Sequence, residues 1–195
     1  GYTPLPMYGE VVMEGLVPGY IVSVSLTRML ARVDVENKVS GEIFKLEEIY
    51  LVNYNTSGYI APKWNEADGV LVPNPYATNE NPMIPVPSGK QPGVEEAAMK
   101  YEYKQAINAP GALMAVEIYT YEAVKNVKDD PGNGVCLIIK GKYMGEDYYY
   151  RVDFTLESEL PLDIAYMPLY RNHKYVVTVT DAEGIGYRTF EEALR

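Results

Sequence analysis

Apolar and polar residues alternate with a period of two along most of the chain. This alternation is typical of β-strands that bury one face, and Gly, Pro, Asn and Asp clusters separate the alternating segments. The predicted strands cover residues 10–17, 20–36, 43–53, 112–122, 135–143, 148–156 and 175–180. The pattern therefore predicts an all-β fold, with few residues left for helices.

The longest predicted strand, residues 20–36, changes the face on which its apolar residues lie. Val22, Val24 and Leu26 share one parity, whereas the following apolar residues, Met29, Ala31, Val33 and Val35, have the opposite parity. A β-bulge near Thr27 and Arg28 would keep both sets facing the core. We therefore expect one long bent strand.

Two short segments have helical character. Residues 94–105 have a helix-forming composition, and Thr189 precedes Phe190 and two glutamates in the arrangement of an N-capped helical turn. Residues 144–147 have the length of a hairpin loop, and residues 129–134 form a predicted turn.

The prolines are concentrated in residues 68–93, where six occur among Asn and Gly residues. Proline cannot donate to a strand ladder, so this stretch is either a linker between domains or a long loop across the surface of one domain. We favour a domain boundary. The predicted division is an N-terminal β-sandwich segment in 1–66, a connection in 67–111 and a C-terminal β-sandwich in 112–195.

The charge of the chain argues against several classes of partner. The 195 residues carry a formal net charge of −10, which does not favour contact with nucleic acid or with an anionic membrane surface. No apolar run approaches the roughly 20 residues of a membrane-spanning helix. The chain begins without Met or a basic leader, so we expect a processed or truncated protein.

Few residues suggest catalysis. Cys136 and His173 are the only cysteine and the only histidine, so no Cys/His zinc cluster is expected. Cys136 lies in an apolar strand and resembles a buried core residue. The paired glutamates and aspartates occur on strands, where neighbours face opposite sides, or in turns. We expect no enzymatic activity, cofactor or metal.

Three segments, in order, resemble the fimbrillin family, the subunits of type V pili of Gram-negative anaerobes. Residues 5–10 (LPMYGE) followed by 24–35 (VSLTRMLARVDV) resemble the family's Leu-Pro-Met-x-Gly-Glu motif and its Arg-x-x-Ala-Arg-Val strand. Residues 168–179 (PLYRNHKYVVTV) and 184–194 (GIGYRTFEEAL) resemble two segments near the family's C-terminus.

This resemblance implies a secreted cell-surface lipoprotein with two transthyretin-like Greek-key sandwiches. Its partners would be other pilin subunits joined by donor-strand complementation, in which a strand of one subunit fills an apolar groove of the next. In the family, a protease that cuts after Arg opens that groove. The strands expected before residue 5 and after residue 194, and the lipid-anchoring cysteine, are absent. We therefore expect residues 2–65 to supply only part of a sandwich.

Two sets of site residues follow from the resemblance. Val22, Val24, Leu26, Met29, Ala31 and Val33 are candidates for a groove strand or subunit interface. Arg171, Asn172 and His173 are expected to hold a loop by hydrogen bonds. The alternative function is a secreted carbohydrate-binding module, with Tyr148–Tyr150 and Tyr101–Tyr103 as sugar-stacking platforms.

Overall fold

A computed structural model describes residues 4–15, 18–58, 60–61, 95–103, 116–123, 134–156 and 165–195. These residues form strands, one short α-helix and one turn of 3₁₀-helix, so the all-β prediction is confirmed. The strands are β1 (Met7–Tyr8), β2 (Thr27–Arg28), β3 (Ala31–Asn37), β4 (Phe44–Val52), β5 (Met99–Glu102), β6 (Val116–Thr120), β7 (Cys136–Tyr143), β8 (Glu146–Asp153), β9 (Thr155–Leu156), β10 (Ala165–Tyr166) and β11 (Lys174–Val179). The 3₁₀ turn is Glu95–Ala97, and helix α1 is Phe190–Leu194.

Two larger sheets organise these strands. The four-stranded sheet has the order β5-β4-β7-β8 with antiparallel neighbours, and the three-stranded sheet has the order β11-β3-β6. In the three-stranded sheet, β6 is antiparallel to β3, whereas β11 is parallel to it. Two short pairs, β1-β2 and β9-β10, lie outside these sheets.

The main core lies between the two larger sheets. Val33 and Ile118 of the three-stranded sheet belong to the same buried cluster as Ile49, Leu137 and Ile139 of the four-stranded sheet, and all five side chains are almost completely inaccessible to solvent. Alternate residues of each strand supply this cluster, as period-two alternation predicts. The fold is therefore a β-sandwich.

Helix α1 covers the outer face of the four-stranded sheet. Its buried Phe190 packs edge-on against Tyr50 of β4, with ring centroids 5.3 Å apart, and also contacts Tyr149 of β8. The Thr189 hydroxyl accepts a hydrogen bond from the Glu192 amide at 3.2 Å, which confirms the predicted N-cap. Both faces of β4 and β7 are thus buried.

The sheets join strands from the two sides of the predicted connection 67–111. β3 pairs with β6 and β11, and β4 pairs with β7, so strands from 1–66 share both sheets with strands from 112–195. The two segments therefore do not form separate sheets, because the apolar face of β3 and β4 is buried by the later strands. The proline-rich residues 68–93 lie outside the described residues.

The prediction of one strand over residues 20–36 is wrong in its first half. The chain bends at Met29 and Leu30, between β2 and β3, and residues 20–26 are not in a strand. The Met29 amide donates to the Pro6 carbonyl at 3.0 Å, and its side chain is buried. The β1-β2 pair therefore ends before β3 begins.

The prediction of a helix over residues 94–105 is also wrong. A 3₁₀ turn occupies Glu95–Ala97, and the chain then enters β5, which pairs with β4. Met99 and Tyr101 pack against the core, whereas Lys100 and Glu102 are exposed. Tertiary pairing with the edge of β4 outweighs the helix propensity of these residues.

The other predicted strands in the described part of the chain match β4, β6, β7, β8 and β11 within a few residues. The exception is 10–17, because residues 10–15 form no strand and the nearby strand is β1. The hairpin between β7 and β8 turns at Met144 and Gly145, which both have positive φ angles of 51° and 89°. The predicted turn at 129–134 lies outside the described residues except for its last residue.

Gly141 of β7 allows β4 to pack closely in the core. A Cβ atom at this position would lie 2.5 Å from the Phe44 ring and 2.7 Å from the Lys45 carbonyl oxygen. We expect Gly141→Ala to lower the free energy of unfolding by about 1–3 kcal/mol, because backbone and ring must both shift. Urea unfolding measures this change.

The control for this variant is Gly184→Ala, because no atom lies within 4 Å of a Cβ at Gly184. Its free energy of unfolding should stay within about 0.5 kcal/mol of the original chain. Equal effects of the two substitutions would show that the close approach of Phe44 is not what requires glycine at 141.

Candidate functional site: the open edge of the sandwich

An apolar slot of about 470 Å³ opens between the two sheets beside β11. Val177 and Val179 of β11 form one wall, and Ile139, Tyr150 and Val152 of the four-stranded sheet form the other. The remaining lining residues are Phe44, Thr178, Thr180, Asp181, Ala182, Glu183, Gly184 and Ile185. The slot is thus an incompletely filled part of the sandwich interior.

The backbone of β11 is open along this slot. Arg32 N donates to the His173 carbonyl at 3.0 Å and Lys38 N donates to the Val179 carbonyl at 2.9 Å, so the odd-numbered residues of β11 bond to β3. The N–H and C=O groups of one strand residue point to the same side. Those of Lys174, Val176 and Thr178 therefore point away from the sheet.

No strand of the described residues pairs with this side of β11, which ends the order of its sheet. Side chains alternate here as well: Tyr175, Val177 and Val179 pack against the core, whereas Val176 has 51% of its surface exposed. An extended chain laid along β11 could thus bond to the backbone and place alternate side chains in the slot.

The neighbouring edge strand, β8, is partly covered by the chain that follows β11. Tyr149 and Tyr187 exchange two backbone hydrogen bonds of 2.9 Å, and the Tyr150 hydroxyl donates to the Gly184 carbonyl at 3.1 Å. Gly186 lies close enough to Tyr149 that an added Cβ would be 2.5 Å from the Tyr149 carbonyl oxygen. Residues 184–187 therefore occupy part of the β8 edge.

An ionic cluster holds β11 to β3 on the outer face of the three-stranded sheet. Asp34 is 2% exposed and contacts Arg32 at 2.6 Å and Lys174 at 2.8 Å. Burial alone would raise the pKa of the Asp34 carboxyl, but the hydrogen bonds from Arg32 and Lys174 hold this pKa below its usual value. The same carboxylate raises the pKa of the Arg32 guanidinium.

The Arg171-Asn172-His173 motif lies immediately before β11, and its arginine is completely buried. Arg171 Nη2 donates to Glu122 Oε2 at 2.8 Å, Arg171 Nη1 donates to the Ile60 carbonyl at 2.8 Å, and the Arg171 amide donates to Glu122 Oε1. Asn55 Nδ2 donates to the Glu122 carbonyl at 2.6 Å. The Arg171 side chain thus joins three distant segments of the chain.

The two other residues of the motif shape the turn into β11. Asn172 has a φ angle of 57° in the left-handed region, which asparagine tolerates better than most residues. Its amide donates to the Leu30 carbonyl at 3.0 Å. His173 Nδ1 lies 2.8 Å from the Arg171 carbonyl oxygen, and its ring packs against Tyr170.

The six residues predicted for a groove strand or interface divide into two groups. Met29, Ala31 and Val33 are buried in the chain's own core, at 6%, 0% and 0% exposure. Val22, Val24 and Leu26 are instead exposed, at 42%, 45% and 63%, together with Tyr20 and Ile21. Only the second group is available to another molecule.

The tyrosines predicted as sugar platforms are largely engaged within the chain. Tyr148 is 4% exposed beneath the Arg188 guanidinium, and the Tyr150 ring packs edge-on against Phe44. The Tyr103 hydroxyl accepts a hydrogen bond from the Asn37 amide, and Tyr101 packs against the core. These rings therefore form no exposed aromatic surface for a sugar.

The described residues contain no group of three or more His, Cys, Asp or Glu residues that could hold a metal. Within the same residues, none of the helices has the length and apolar character needed to cross a membrane. Cys136 is buried in β7, as its apolar strand predicted.

Sequence reasoning missed the residues that complete the site. The contacts of Glu122 with Arg171 and of Asn55 with Glu122 were not predicted, because these residues are distant in the chain and approach one another only after folding. The open edge of β11 was also missed, since alternation is the same in an edge strand and a central strand. The sequence pattern also could not show that the apolar side chain of Val176, in the middle of β11, lies on the exposed face of its sheet.

The buried ion pair generates a stability prediction. We expect Arg171→Met to lower the free energy of unfolding by about 3–5 kcal/mol, because the Glu122 carboxylate would remain buried without its partner. Lys142→Ala, which removes an exposed partner of Asp147, should change the free energy of unfolding far less, because water screens an exposed ion pair. Urea unfolding compares the variants, and equal losses would contradict a special role of Arg171.

The Asp34 cluster generates a pH prediction. The pKa of Asp34 is lower in the folded chain than in the unfolded chain, so its contribution to stability is complete above about pH 4 and disappears as the pH falls through the folded-state pKa. Asp34→Asn should therefore reduce the free energy of unfolding at pH 7, and the difference from the original chain should shrink at acidic pH. Glu14→Gln, at an exposed position, is the control for urea unfolding between pH 7 and pH 2.

A difference between Asp34→Asn and the original chain that stays constant down to pH 2 would contradict this prediction, because Asp34 would then contribute equally in both protonation states.

Comparison with known proteins gave a likeness to solved structures but not to families or curated sequences. No family model matches the sequence, and no curated protein matches it. Among solved structures, the chain is similar to the tip fimbrial protein Mfa3 from Porphyromonas gingivalis with C-terminal truncation, at 18% sequence identity and a TM-score of 0.44. The similarity covers 83% of this chain and 50% of that one, so the chain spans about half the length of the tip protein.

Proposed function

We propose that this chain is a structural subunit of a cell-surface fimbria that joins other pilin subunits by donor-strand complementation and contributes to adhesion. The observation that carries the proposal is the open edge of β11 beside an apolar slot of about 470 Å³. The order of the three fimbrillin-like segments in the sequence supports the same function.

The chemistry of the site suits a strand rather than a small molecule. Lys174, Val176 and Thr178 offer a row of N–H and C=O groups that an incoming strand would pair, and such main-chain bonds give affinity without requiring one sequence. Val177, Val179 and Val152 give the slot apolar walls, so alternate apolar side chains of that strand would lose contact with water. The burial of this surface drives association.

The proposed location is the cell surface, where the subunit would belong to the fimbria and be associated with the outer membrane through assembly. The proposed role is structural, because the slot has apolar walls and lies beside an open strand edge. The rim of the slot does carry Asp181 and Glu183, but both side chains are exposed to solvent.

The open edge can be blocked without disturbing the sheet. Val176→Pro removes an N–H group that points away from β3, a position at which an edge strand tolerates proline. We expect this variant to keep its folded structure but to lose concentration-dependent assembly with other subunits. Light scattering measures assembly, and circular dichroism measures the fold.

Val176→Ala is the matched control, since it shortens the same side chain but retains the N–H group. It should assemble like the original chain. Normal assembly of a folded Val176→Pro variant would contradict the role of the β11 edge, and loss of assembly in both variants would point to the side chain instead.

A further inference from the structure

Residues 180–187, named the strap here, cross from one wall of the slot to the other. The strap begins after Val179 of β11, whose carbonyl accepts a hydrogen bond from the Lys38 amide at 2.9 Å. It ends at Tyr187, which exchanges two backbone hydrogen bonds of 2.9 Å with Tyr149 of β8. Residues 180–185 line the slot. The strap is therefore tied to both sheets and borders the space between them.

The side chains of the strap alternate, and its half-buried positions hold only small residues. The half-buried positions are Ala182, Gly184 and Gly186, and the exposed positions are Asp181, Glu183, Ile185 and Tyr187. Alternate residues of an extended chain point to opposite sides. A methyl group and two hydrogen atoms are thus all that the half-buried positions present, so the strap does little to fill the slot of about 470 Å³.

Ile185 is an apolar side chain that lies at the border of an apolar slot without entering it. It is 70% exposed, whereas its slot neighbours Phe44 and Ile139 are 2% exposed. Turning Ile185 inward would remove both its own apolar surface and that of the slot walls from water, which is favourable. The polar residues Asp181 and Glu183 gain nothing by the same movement.

The strap has a pivot at which this turn can take place. A Cβ atom at Gly184 would have no other atom within 4 Å, and glycine adopts a wider range of φ and ψ angles than any other residue. The Gly184 carbonyl accepts one hydrogen bond, from the Tyr150 hydroxyl at 3.1 Å. Gly186, in contrast, lies tightly against the Tyr149 carbonyl oxygen. A turn at Gly184 would thus break one exposed-side contact and leave the Tyr187 end in place.

We propose that the strap is a built-in lid, and that it closes by turning Ile185 into the slot. The structure shows the open state, and the closed state has the isoleucine side chain between Val177 and Tyr150. Any occupant of the slot must then displace Ile185, so its apparent affinity falls in proportion to the fraction of open molecules. This inference rests on the proposed function only in making the strap a regulator of subunit assembly.

Binding of the neutral apolar dye Nile red to the full chain tests the lid. Ile185→Ser removes the side chain that closes the slot, and the dissociation constant of the dye should fall by about twofold or more if the strap is closed for at least half of the time. If Ile185 is only part of a fixed wall, the same substitution removes an apolar contact and the dissociation constant rises. The two models therefore predict opposite signs, which dye fluorescence measures.

Two further variants control this experiment. Ile43→Ser makes the same substitution at another exposed isoleucine, which does not line the slot, and should leave dye binding unchanged. Ile185→Trp puts a larger apolar side chain on the strap and should weaken dye binding, although it adds apolar surface to the molecule. Circular dichroism should show the original fold in all three variants, because both positions are exposed.

An unchanged or higher dissociation constant in Ile185→Ser, or a lower one in Ile185→Trp, would overturn the lid. The assembly of Val176→Pro decides the proposed function separately, since that variant alters the backbone edge and not the strap. If Ile185→Ser binds the dye more tightly while Val176→Pro assembles normally, the lid stands and the proposed function fails. If the dye result is negative while Val176→Pro blocks assembly, the proposed function stands without a lid.

Discussion

The parallel pairing of β3 with β11 is the contact on which the rest of the sandwich depends. Parallel neighbours cannot be joined by a tight turn, so the chain between them must cross over, and here it supplies the whole four-stranded sheet on the way. The pairing also places β11 at the end of its sheet. The slot, the ionic cluster at Asp34 and the position of the Arg171 motif all follow from that placement.

The two strand edges beside the slot, β8 and β11, differ in how far the described residues cover them. β8 receives backbone hydrogen bonds from Tyr187, whereas β11 carries Lys174 near its start and a β-branched residue, Val176, exposed at its centre. Exposed strand edges favour pairing with other chains, and proteins that remain monomeric usually cover or charge them. Within the described residues, the two edges that flank the slot therefore differ, because part of the β8 edge is paired and the β11 edge is not.

Much of the fold could be predicted from the alternation of apolar residues, but the partners of each strand could not. The core positions of β4 and β7 were evident because each strand contains a run of four apolar residues, 49–52 in β4 and 136–139 in β7, and the cap at Thr189 is a local interaction. The prediction of a helix at 94–105 was wrong because β5, which lies within this segment, pairs with the edge of β4. The composition of the segment favours a helix only in isolation. The candidate interface at Val22, Val24 and Leu26 remains a prediction, and the pattern alone did not show the bend at Met29 and Leu30 that separates these exposed residues from β3. The hydrogen bonds of Arg171 to Glu122 and to the Ile60 carbonyl join segments that meet only in the folded chain. The sequence therefore indicated the Arg171-Asn172-His173 motif but not the residues that Arg171 binds.

The register that aligns Lys174 with Arg32 also has a consequence for how the chain reaches its folded state. Contacts separated by on the order of 140 residues close large loops, and folds dominated by such contacts form slowly, in milliseconds to seconds. During synthesis from the N-terminus, on the order of 140 further residues must be made after β3 before its parallel neighbour exists. Throughout that interval β3, with its apolar Val33 and Val35, has no β11 strand beside it. A nascent chain therefore needs protection from premature association at β3.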